Sequence, residues 1–322
     1  RPRDGSIKGE GVSTWEVIHG DCLEVLRGMP DASVDAVATD PPYFRVKSEA
    51  WDRQWGHDGA YLDWLSSIID EWYRVLRSNG SVYCFASPQM AARVEVRIGQ
   101  RFNVLNTITW QKPPYSTKAE MFDKSTMRGF FPASERIIFA EHYFEPLRLY
   151  LASERDRAGW TTRRVAEEYQ KVTGSRTVTG MAGHWFERVQ WALPTAANYQ
   201  WLRQLFNQSG GDYLRREYED LRRPFAVTPD VPYTDVWTFK TVQAYKGKHP
   251  CEKPVDMMEH IIRTSTKPGA VVLDCFAGSG STGVACARND RSFIGIEKDE
   301  SWADYARRRI AEAANHLYAE AK

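Results

Sequence analysis

Apolar residues follow one pattern in the outer parts of this 322-residue chain and a different pattern in its middle. Short β-branched runs alternate with segments of helical period in residues 15–141 and again in 236–322. Such alternation predicts an α/β fold around a mostly parallel sheet. Residues 142–235 keep only the helical patterns, so we expect an inserted, mainly helical domain there. Residues 1–14 are polar and are expected to form a mobile arm.

Seven short apolar runs have the length and β-branched character of buried strands. They are Trp15–His19, Val34–Thr39, Ser81–Ala86, Val104–Trp110, Arg136–Ala140, Ala270–Asp274 and Ser292–Ile296. Apolar residues recur every three or four positions between Tyr61 and Leu76, which predicts an amphipathic helix. The Ser78-Asn79-Gly80 sequence is expected to end that helix before the third strand begins.

The tetrapeptide Asp40-Pro41-Pro42-Tyr43 ends the second of these runs. Its prolines remove two backbone donors, leaving the Asp40 carboxylate and nearby carbonyls as acceptors beside the Tyr43 ring. Ligands of open α/β sheets bind at the carboxyl ends of the strands. Acceptors next to an aromatic face suit a planar amino group, such as the exocyclic amine of a base. A proline-rich turn with a capping aspartate is the alternative that these four residues alone leave open.

A glycine-rich turn, Cys275-Phe276-Ala277-Gly278-Ser279-Gly280, follows the strand that ends at Asp274. Glycines allow the backbone to approach a cofactor closely. An acidic residue about 20 positions later typically binds ribose hydroxyls, and Glu297 has that position. The turn lacks the Gly-Lys-Ser/Thr of a phosphate-binding P-loop. It therefore predicts a site for a nucleoside cofactor.

Composition limits the class of protein further. Hydrophobic and charged fractions of 42% and 26% are typical of a globular protein, and a net charge of +1 requires any basic surface to be local. The five cysteines include no CxxC pair, so we expect free thiols in a reducing cytoplasm, with neither a disulfide framework nor a metal site. We find no apolar stretch long enough to span a membrane.

Two further stretches have residues suited to nucleic acid. The loop between Phe44 and Gly59 interleaves basic and aromatic side chains, namely Arg45, Lys47, Trp51, Arg53 and Trp55. In the middle region the cations are almost all arginine, and a glycine turn after Thr161–Tyr169 resembles that of a helix-turn-helix. A surface loop with incidental aromatics and a helical cap with solvated arginines remain the alternatives.

Three motifs considered together resemble one family of enzymes. Asp274–Gly280, Asp40–Tyr43 and His249-Pro250-Cys251-Glu252-Lys253-Pro254 closely resemble the motifs of S-adenosylmethionine-dependent DNA amino-methyltransferases, which methylate adenine N6 or cytosine N4. Their order is similar to that of the circularly permuted β group. The resemblance covers about residues 15–140 and 245–312. It implies a Rossmann-like, seven-stranded, mostly parallel sheet with an inserted target-recognition domain.

The resemblance also implies partners and a location. The substrate would be double-stranded DNA, and a homodimer is one option for the assembly. The enzyme would be cytoplasmic, of bacterial or phage origin, and associated with the nucleoid.

The resemblance further assigns roles to individual residues. Asp40, Pro41, Pro42 and Tyr43 would be catalytic, with Asp40 and the Pro41 carbonyl accepting from the target amine and Tyr43 stacking on the flipped base. The residues that would bind S-adenosylmethionine are Asp21, Cys22, Asp40, Lys253, Pro254, Asp274, Phe276, Ala277, Gly278, Ser279, Gly280, Ser281, Thr282, Glu297 and Lys298.

Within that set, four positions have a specified contact by resemblance. Glu297 would hold the ribose, and Asp21 with the Cys22 amide would contact the adenine ring of the cofactor. Asp274 would lie near the methionine amino group. Lys253 and Pro254 would open the helix beside the methionine portion. The chain departs from the family by Cys275 in place of a frequent proline and Ser281 in place of a frequent threonine.

Asp rather than Ser at position 40 favours adenine, and cytosine N4 is the nearest alternative. Methylation of structured RNA or of a protein glutamine is disfavoured by the permuted order and the long insertion. A nicotinamide-dependent oxidoreductase gives the tetrapeptide no role, and a non-catalytic DNA-binding module does not need intact motifs. Pro250-Cys251 superficially resembles the nucleophile of cytosine-C5 methyltransferases, but its context predicts a helix entry instead.

Overall fold

The computed structural model describes residues 13–44, 53–112, 125, 128–130, 132–175, 180–227 and 234–320. The chain folds into two compact units. The first comprises Arg1–His142 and Pro224–Lys322, and the second comprises Tyr143–Arg223. Among the helices in these described ranges, none is long and apolar enough to cross a membrane.

The first unit is built on a single sheet and the second is helical. The strands are β1 (Trp15–His19), β2 (Val34–Thr39), β3 (Leu76–Ala86), β4 (Phe102–Gln111), β5 (Ser134–His142), β6 (Val236–Trp237), β7 (Val271–Asp274) and β8 (Ser292–Glu297). The helices are α1 (Cys22–Gly28), α2 (Asp58–Val75), α3 (Ala91–Gly99), α4 (Glu145–Arg157), α5 (Thr162–Thr173), α6 (Met181–Phe186), α7 (Ala196–Asn207), α8 (Tyr218–Leu221), α9 (Val255–Ser265), α10 (Ser281–Arg288) and α11 (Glu300–Glu320). Helices α4–α8 form the second unit.

The strands are arranged in the order β1-β8-β7-β2-β3-β5-β4-β6. Neighbouring strands are parallel except where β5 pairs with β3 and with β4. All seven predicted strands are present, so the α/β prediction is confirmed. The predicted number is wrong by one, because β6 pairs with β4 at Thr109 and Trp110 as an eighth strand. Its two residues are too few to show any periodicity in the sequence.

Strand β3 begins at Leu76, although the sequence suggested Ser81. Val34 pairs with Leu76 and Ala36 pairs with Ser81, so the residues between form an irregularity in the ladder rather than a turn. A Cβ atom on Gly80 would lie 2.8 Å from the Asp35 carbonyl oxygen. Glycine is therefore required where β3 passes close to β2.

Both faces of the sheet are covered by helices. On β2, the Val37 side chain belongs to a core that includes residues of α1, α2 and α3. The alternate residues Ala36 and Ala38 belong to the opposite core, with residues of α9, α10 and α11. Because successive side chains enter opposite cores, Ala36, Val37 and Ala38 are all apolar and the strand lacks polar–apolar alternation there.

The second unit has a hydrophobic core of its own. Leu151, Trp185, Tyr199 and Leu202, which come from α4, α6 and α7, are buried together in it. Thr161 caps α5 by accepting from the Arg164 amide, and Gly174 ends that helix with a φ of 66°. The unit therefore has its own core, and the ends of α5 are capped by residues of the unit itself.

Its arginines divide into two groups. The side chains of Arg148 and Arg155 are only 16% and 14% exposed and bond within the unit, which makes them part of its framework. Arg163 and Arg215 are 86% and 67% exposed. Arg176, which the sequence placed in the same set, lies outside the described residues. Helix α6 has six residues and buries Ala182, Trp185 and Phe186. This burial does not test contact with DNA, so the helix-turn-helix interpretation stays a prediction.

A buried carboxylate joins the ends of β2 and β7 to the start of α10. Asp274 Oδ1 accepts hydrogen bonds from the Thr39 hydroxyl at 2.7 Å and the Phe276 amide at 3.1 Å. Its Oδ2 accepts from the Thr282 hydroxyl at 2.6 Å. Burial raises the pKa of Asp274 from 3.8 to about 6, against the effect of these donors.

We expect Thr282→Val to lower the free energy of unfolding by about 1.5–3 kcal/mol when Asp274 is charged, since it removes a donor to a buried carboxylate. A raised pKa means that the contribution of this carboxyl to stability is present at low pH and is lost as pH rises through about 6. The Thr282 donor opposes that loss. Urea unfolding should therefore show a larger effect of the substitution at about pH 8 than at about pH 5.

Thr107→Val is the matched control, because the Thr107 hydroxyl donates to a carboxylate of Glu95 that is only half-buried. Thr107→Val should lower the free energy of unfolding by less, and its effect should depend more weakly on pH over the same range. An equal decrease in the free energy of unfolding for both substitutions at both pH values would contradict the role given to Asp274.

Candidate active site

Four carboxylates stand in a row at one edge of the sheet. Asp21 follows β1, Glu297 ends β8, Asp274 ends β7 and Asp40 follows β2. These four strands are neighbours in that order and are all parallel. Their carboxyl ends therefore meet at the same edge, which is where open α/β sheets bind ligands.

A cavity of about 510 Å³ opens at this edge. Its size is within the usual range for ligand pockets. Nearly all the predicted site residues line it, namely Asp21, Cys22, Asp40, Pro41, Pro42, Tyr43, Lys253, Asp274, Phe276, Ala277, Gly278, Ser279, Ser281, Thr282, Glu297 and Lys298. Pro254 and Gly280 are not among the lining residues and instead stand at the N-caps of α9 and α10.

The glycine loop owes its shape to two residues with left-handed backbone. Gly278 has a φ of 49° and Gly280 a φ of 76°. A Cβ atom on Gly280 would lie 2.9 Å from Ala306 Cβ, so the loop packs closely against α11. Behind the loop the buried Cys275 thiol accepts a hydrogen bond from Trp72 Nε1 at 3.1 Å. The cysteine that replaces the family's frequent proline is therefore a packing residue.

Glu297 holds the glycine loop at its other side. Its Oε2 accepts from the Gly278 amide at 2.8 Å and its Oε1 accepts from the Asp299 amide at 2.9 Å. Burial raises its pKa, although these amides oppose the rise. Each carboxylate oxygen has a second lone pair, so Glu297 can still accept from two further hydroxyl groups.

Asp21 and Cys22 form the start of α1 beside the cavity. Asp21 is the N-cap of this helix and accepts from the Leu23 amide at 3.0 Å. The ammonium group of Lys298 lies 3.3 Å from its other oxygen. Burial raises the pKa of the Cys22 thiol to about 12, so the thiol is neutral.

The segment from His249 to Pro254 is fixed to the glycine loop by a buried ion pair. Arg309 of α11 contacts Glu252 at 2.8 Å, and the Glu252 side chain is only 2% exposed. Arg309 also donates to the Ser279 carbonyl and the Ser281 hydroxyl. Tyr245 donates to the second oxygen of Glu252 at 2.6 Å. Residues from three parts of the chain thereby hold this side of the cavity.

Asp40 forms a buried ion pair with Lys253, which the sequence had placed beside the cofactor. The Lys253 ammonium group bonds Asp40 Oδ2, and the two side chains are 8% and 16% exposed. Burial raises the pKa of Asp40, and the ammonium group opposes that rise. Burial also disfavours the charged form of Lys253, but Asp40 and Glu135 together raise its pKa above the usual value. The attraction between the two groups favours their ionised forms, while burial works against the charge on Asp40.

The second oxygen of Asp40 has a different environment. Oδ1 is buried, and no group in the described part of the chain donates a hydrogen bond to it. A buried carboxylate oxygen without a donor is costly, which indicates a place for a ligand's N–H or O–H group. Asp40 also lines the cavity. The geometry thus provides one acceptor atom at the site where the sequence expected a target amine.

Tyr43 is less available than the sequence suggested. Its side chain is buried, its hydroxyl donates to Glu135 Oε2 at 3.0 Å, and Lys253 Nζ lies 5.5 Å from the ring centroid. Glu135 and its second partner Lys112 were not identified from the sequence. They lie at the facing ends of β4 and β5 outside any motif, so no local signal could have indicated them.

Other cavity residues also lacked a local signal. Trp64 and Phe85 line the cavity from α2 and β3, where their apolar character had indicated only a core. His249 lines it as well, and its presence in the six-residue motif was a signal that could have been used. Burial lowers the pKa of His249 to about 4, which makes its ring neutral.

The aromatic loop that follows Tyr43 is described only at its end. Arg45, Lys47 and Trp51 lie outside the described residues. Trp55 is buried in the core, 5.0 Å from the Tyr61 ring centroid and 4.6 Å from that of Trp64. The interpretation of Trp55 as a stacking residue for nucleic acid is therefore wrong, because its ring packs against α2.

Comparison with known proteins finds similarity to DNA methyltransferases in both sequence and fold. A DNA adenine methyltransferase of Escherichia coli (strain K12), YhdJ, is 26% identical over 318 residues, covering 94% of this chain and 85% of that protein. The structure of an M1.HpyAVI–S-adenosylmethionine complex aligns with a TM-score of 0.54 and 19% identity, covering 92% of this chain and 99% of the other. The cytosine-N4-specific PvuII DNA methyltransferase aligns with a TM-score of 0.57 and 17% identity, covering 95% of this chain and 93% of the other.

The two solved structures share the fold of this chain. The profile of the DNA methylase family matches residues 34–308, a range that contains the acidic tetrapeptide, the His249–Pro254 segment and the glycine loop. The chain accordingly belongs to the DNA methylase family of N6 and N4 methyltransferases.

Proposed function

We propose that this protein transfers a methyl group from S-adenosylmethionine to the N6 amino group of an adenine rotated out of duplex DNA. The observation that carries the proposal is Asp40, which lines the same cavity as Glu297 and the glycine loop and whose buried Oδ1 has no donor in the described part of the chain. Membership of the DNA methylase family supports DNA as the substrate. The relative named as a DNA adenine methyltransferase supports adenine.

The residues at the cavity fit this cofactor. Glu297 has two oxygens with spare acceptor capacity for ribose hydroxyls, and Phe276 and Trp64 offer aromatic faces, with ring centroids 5.7 Å apart. Asp21 stands at the end of the neighbouring strand for the adenine ring. A solved structure with the same fold contains S-adenosylmethionine, which also supports the choice. When bound, this cofactor supplies an electrophilic methyl group on a sulfonium.

Asp40 and Pro41 would act on the target amine. The lone pair of an exocyclic amine is delocalised into its ring, which makes the nitrogen a poor nucleophile. Acceptance of its N–H groups by Asp40 Oδ1 and the Pro41 carbonyl favours a pyramidal nitrogen with a localised lone pair. That lone pair would be directed at the methyl group, the thioether S-adenosylhomocysteine would be the leaving group, and Asp40, which accepts one N–H, would take the proton lost from the nitrogen. No covalent link to the protein is needed.

Lys253 would keep Asp40 in the form that this chemistry requires. A protonated carboxyl would present an O–H donor where an acceptor is needed. Burial alone raises the pKa of Asp40, and the Lys253 ammonium group is the strongest opposing influence. We therefore assign Lys253 to Asp40 in addition to the cofactor side of the cavity.

The second unit would select the DNA sequence. The support is its independent core and its exposed arginines, among them Arg163 and Arg215. Arginine suits bidentate contacts with phosphate or guanine. We also propose that the protein belongs to the circularly permuted β group and forms a homodimer. Its proposed location is the cytoplasm, in association with the nucleoid.

Mass spectrometry of nucleosides tests the reaction directly. Unmethylated DNA incubated with the protein and isotopically labelled S-adenosylmethionine should yield labelled N6-methyladenine after digestion. Labelled N4-methylcytosine would establish the cytosine alternative instead. Absence of label from every nucleoside would overturn DNA methylation as the function.

We expect Asp40→Ala to reduce methyl transfer by at least about 100-fold while binding of S-adenosylhomocysteine persists, because the lost acceptor contacts the target amine rather than the cofactor. Initial rates and isothermal titration calorimetry measure the two effects. Asp63→Asn is the control, since Asp63 is 72% exposed and pairs with Arg97 on the surface. It should leave both quantities unchanged. Wild-type turnover in Asp40→Ala would remove Asp40 from the mechanism.

Glu297→Ala should raise the Kd for S-adenosylhomocysteine about 10- to 100-fold, which corresponds to about 1.5–3 kcal/mol for lost hydrogen bonds to a charged group. Glu297→Gln keeps one carbonyl acceptor and should have an intermediate Kd. The exposed Glu300, near the start of α11, provides the control Glu300→Ala. If titration calorimetry gives the same affinity for Glu297→Ala and the control, Glu297 is not a cofactor residue.

Exchanging Tyr143–Arg223 for the corresponding segment of a relative with another specificity should change which sequence is methylated. The exchange replaces one complete unit with its own core, so the fold and the chemistry should be retained. Sequencing that detects methylated bases identifies the modified sites. An active chimera with unaltered specificity would show that recognition lies elsewhere.

A further inference from the structure

Glu135 is a buried carboxylate that neither lines the cavity nor belongs to a motif, yet it bonds two residues that do line it. It is the second residue of β5, and its side chain is 14% exposed. Its Oε2 accepts from the Tyr43 hydroxyl at 3.0 Å and lies 3.4 Å from Lys253 Nζ. Its Oε1 accepts from Lys112 Nζ at 2.5 Å.

These contacts determine where two important groups are held. The Tyr43 hydroxyl is tied to Glu135, which fixes the rotation of a ring that would stack on the flipped base. Lys253 lies between Glu135 and Asp40, so its ammonium group cannot move toward the cavity without losing one of two carboxylates. Lys112 adds to the attraction of Lys253 for the charged form of Glu135, and its Nζ also lies 5.2 Å from the Trp110 ring centroid.

The four charges balance inside the protein. Two carboxylates and two ammonium groups form a chain in the order Asp40, Lys253, Glu135 and Lys112. Burial would raise the pKa of Glu135, but Lys253 and Lys112 lower it to about 2. Glu135 is therefore an anion at any physiological pH. A buried anion costs much free energy unless it is paired, which indicates that its position is specifically supported.

The geometry points to Glu135 as a positioning residue for methyl transfer, acting through Tyr43 and Lys253 to direct Asp40 Oδ1 at the target amine. This inference rests on the proposed function. Glu135 does not touch substrate or cofactor, because it is behind the residues that line the cavity. Its effect should therefore appear in the rate of transfer and in the ionisation of Asp40, and not in cofactor affinity.

The charged and titratable groups that face Asp40 determine the direction of the pH effect. They are Lys253 from the segment before α9, Glu135 from β5, Asp274 from the end of β7, Cys84 from β3 and Tyr43. Glu135 raises the pKa of Asp40 by repulsion between like charges. Removing its charge should lower that pKa, so the acidic limb of kcat/KM should move to lower pH.

The test uses Glu135→Gln in the full chain, with unmethylated bacteriophage DNA and S-adenosylmethionine. Glutamine keeps an acceptor for the Tyr43 hydroxyl but loses the attraction for Lys253. We expect kcat to fall about 10- to 100-fold, as for loss of a hydrogen bond between charged groups. The Kd for S-adenosylhomocysteine should stay unchanged. The acidic limb of the pH profile of kcat/KM should move to lower pH.

Glu141→Gln is the matched control, because Glu141 lies on the same strand and bonds Asn103 far from the cavity. It should leave kcat and the acidic limb as in the wild type. A loss of activity in Glu135→Gln with an unmoved limb and a weaker Kd would mean a merely structural role, and would overturn the inference. Full activity in Glu135→Gln would overturn it as well.

Tyr43→Phe removes the hydrogen bond to Glu135, which Glu135→Gln leaves in place, without changing any charge. A fall in kcat of Tyr43→Phe therefore tests the inference even if Glu135→Gln fails to fold. If Glu135 acts partly through Tyr43, the losses in kcat of the two single variants should not add in the double variant. Full additivity, or a wild-type kcat in Tyr43→Phe, would contradict action through Tyr43. A wild-type protein that methylates no DNA would overturn the proposed function itself, an outcome distinct from all of these.

Discussion

The parallel pairing of β2 with β7 is the contact on which the site depends. It places Ala36 opposite Val272 and Val37 opposite Leu273, although these strands are more than 230 residues apart in the chain. The Asp274 carboxylate then joins the two strand ends through the Thr39 hydroxyl and also holds Thr282. Because of this junction, the acceptor tetrapeptide and the glycine loop open onto one cavity. Without this junction, the tetrapeptide and the glycine loop would not line the same cavity.

Burial of charge next to this junction gives the site its chemical character. An isolated carboxylate at the position of Asp40 would become neutral, because burial raises its pKa. Lys253 opposes that outcome by its attraction for Asp40, and Glu135 with Lys112 extends the row of alternating charges. One oxygen of Asp40 is used in this chain and the other is left for a donor from outside it. The same arrangement thus pairs the buried charges and leaves one acceptor of Asp40 without a donor.

The two units have separate hydrophobic cores. The carboxylates, the glycine loop and the charge chain all belong to the unit that contains the sheet. The other unit has its own buried core, which is rich in aromatic residues. Its exposed surface can therefore vary without disturbing the residues that would perform methyl transfer.

The sequence by itself determined the strands, the motifs and the positions of Asp21, Asp40, Asp274 and Glu297 at strand ends. Local physics suffices there, because β-branched runs, prolines and glycines restrict the backbone whatever surrounds them. The partners of these groups were decided only by the tertiary structure. The contacts of Glu135 with Lys112 and of Lys253 with Asp40 join residues that are separated in the chain. The periodicity of the sequence does not predict such contacts. The two-residue β6 and the burial of Trp55 likewise depend on what packs against them.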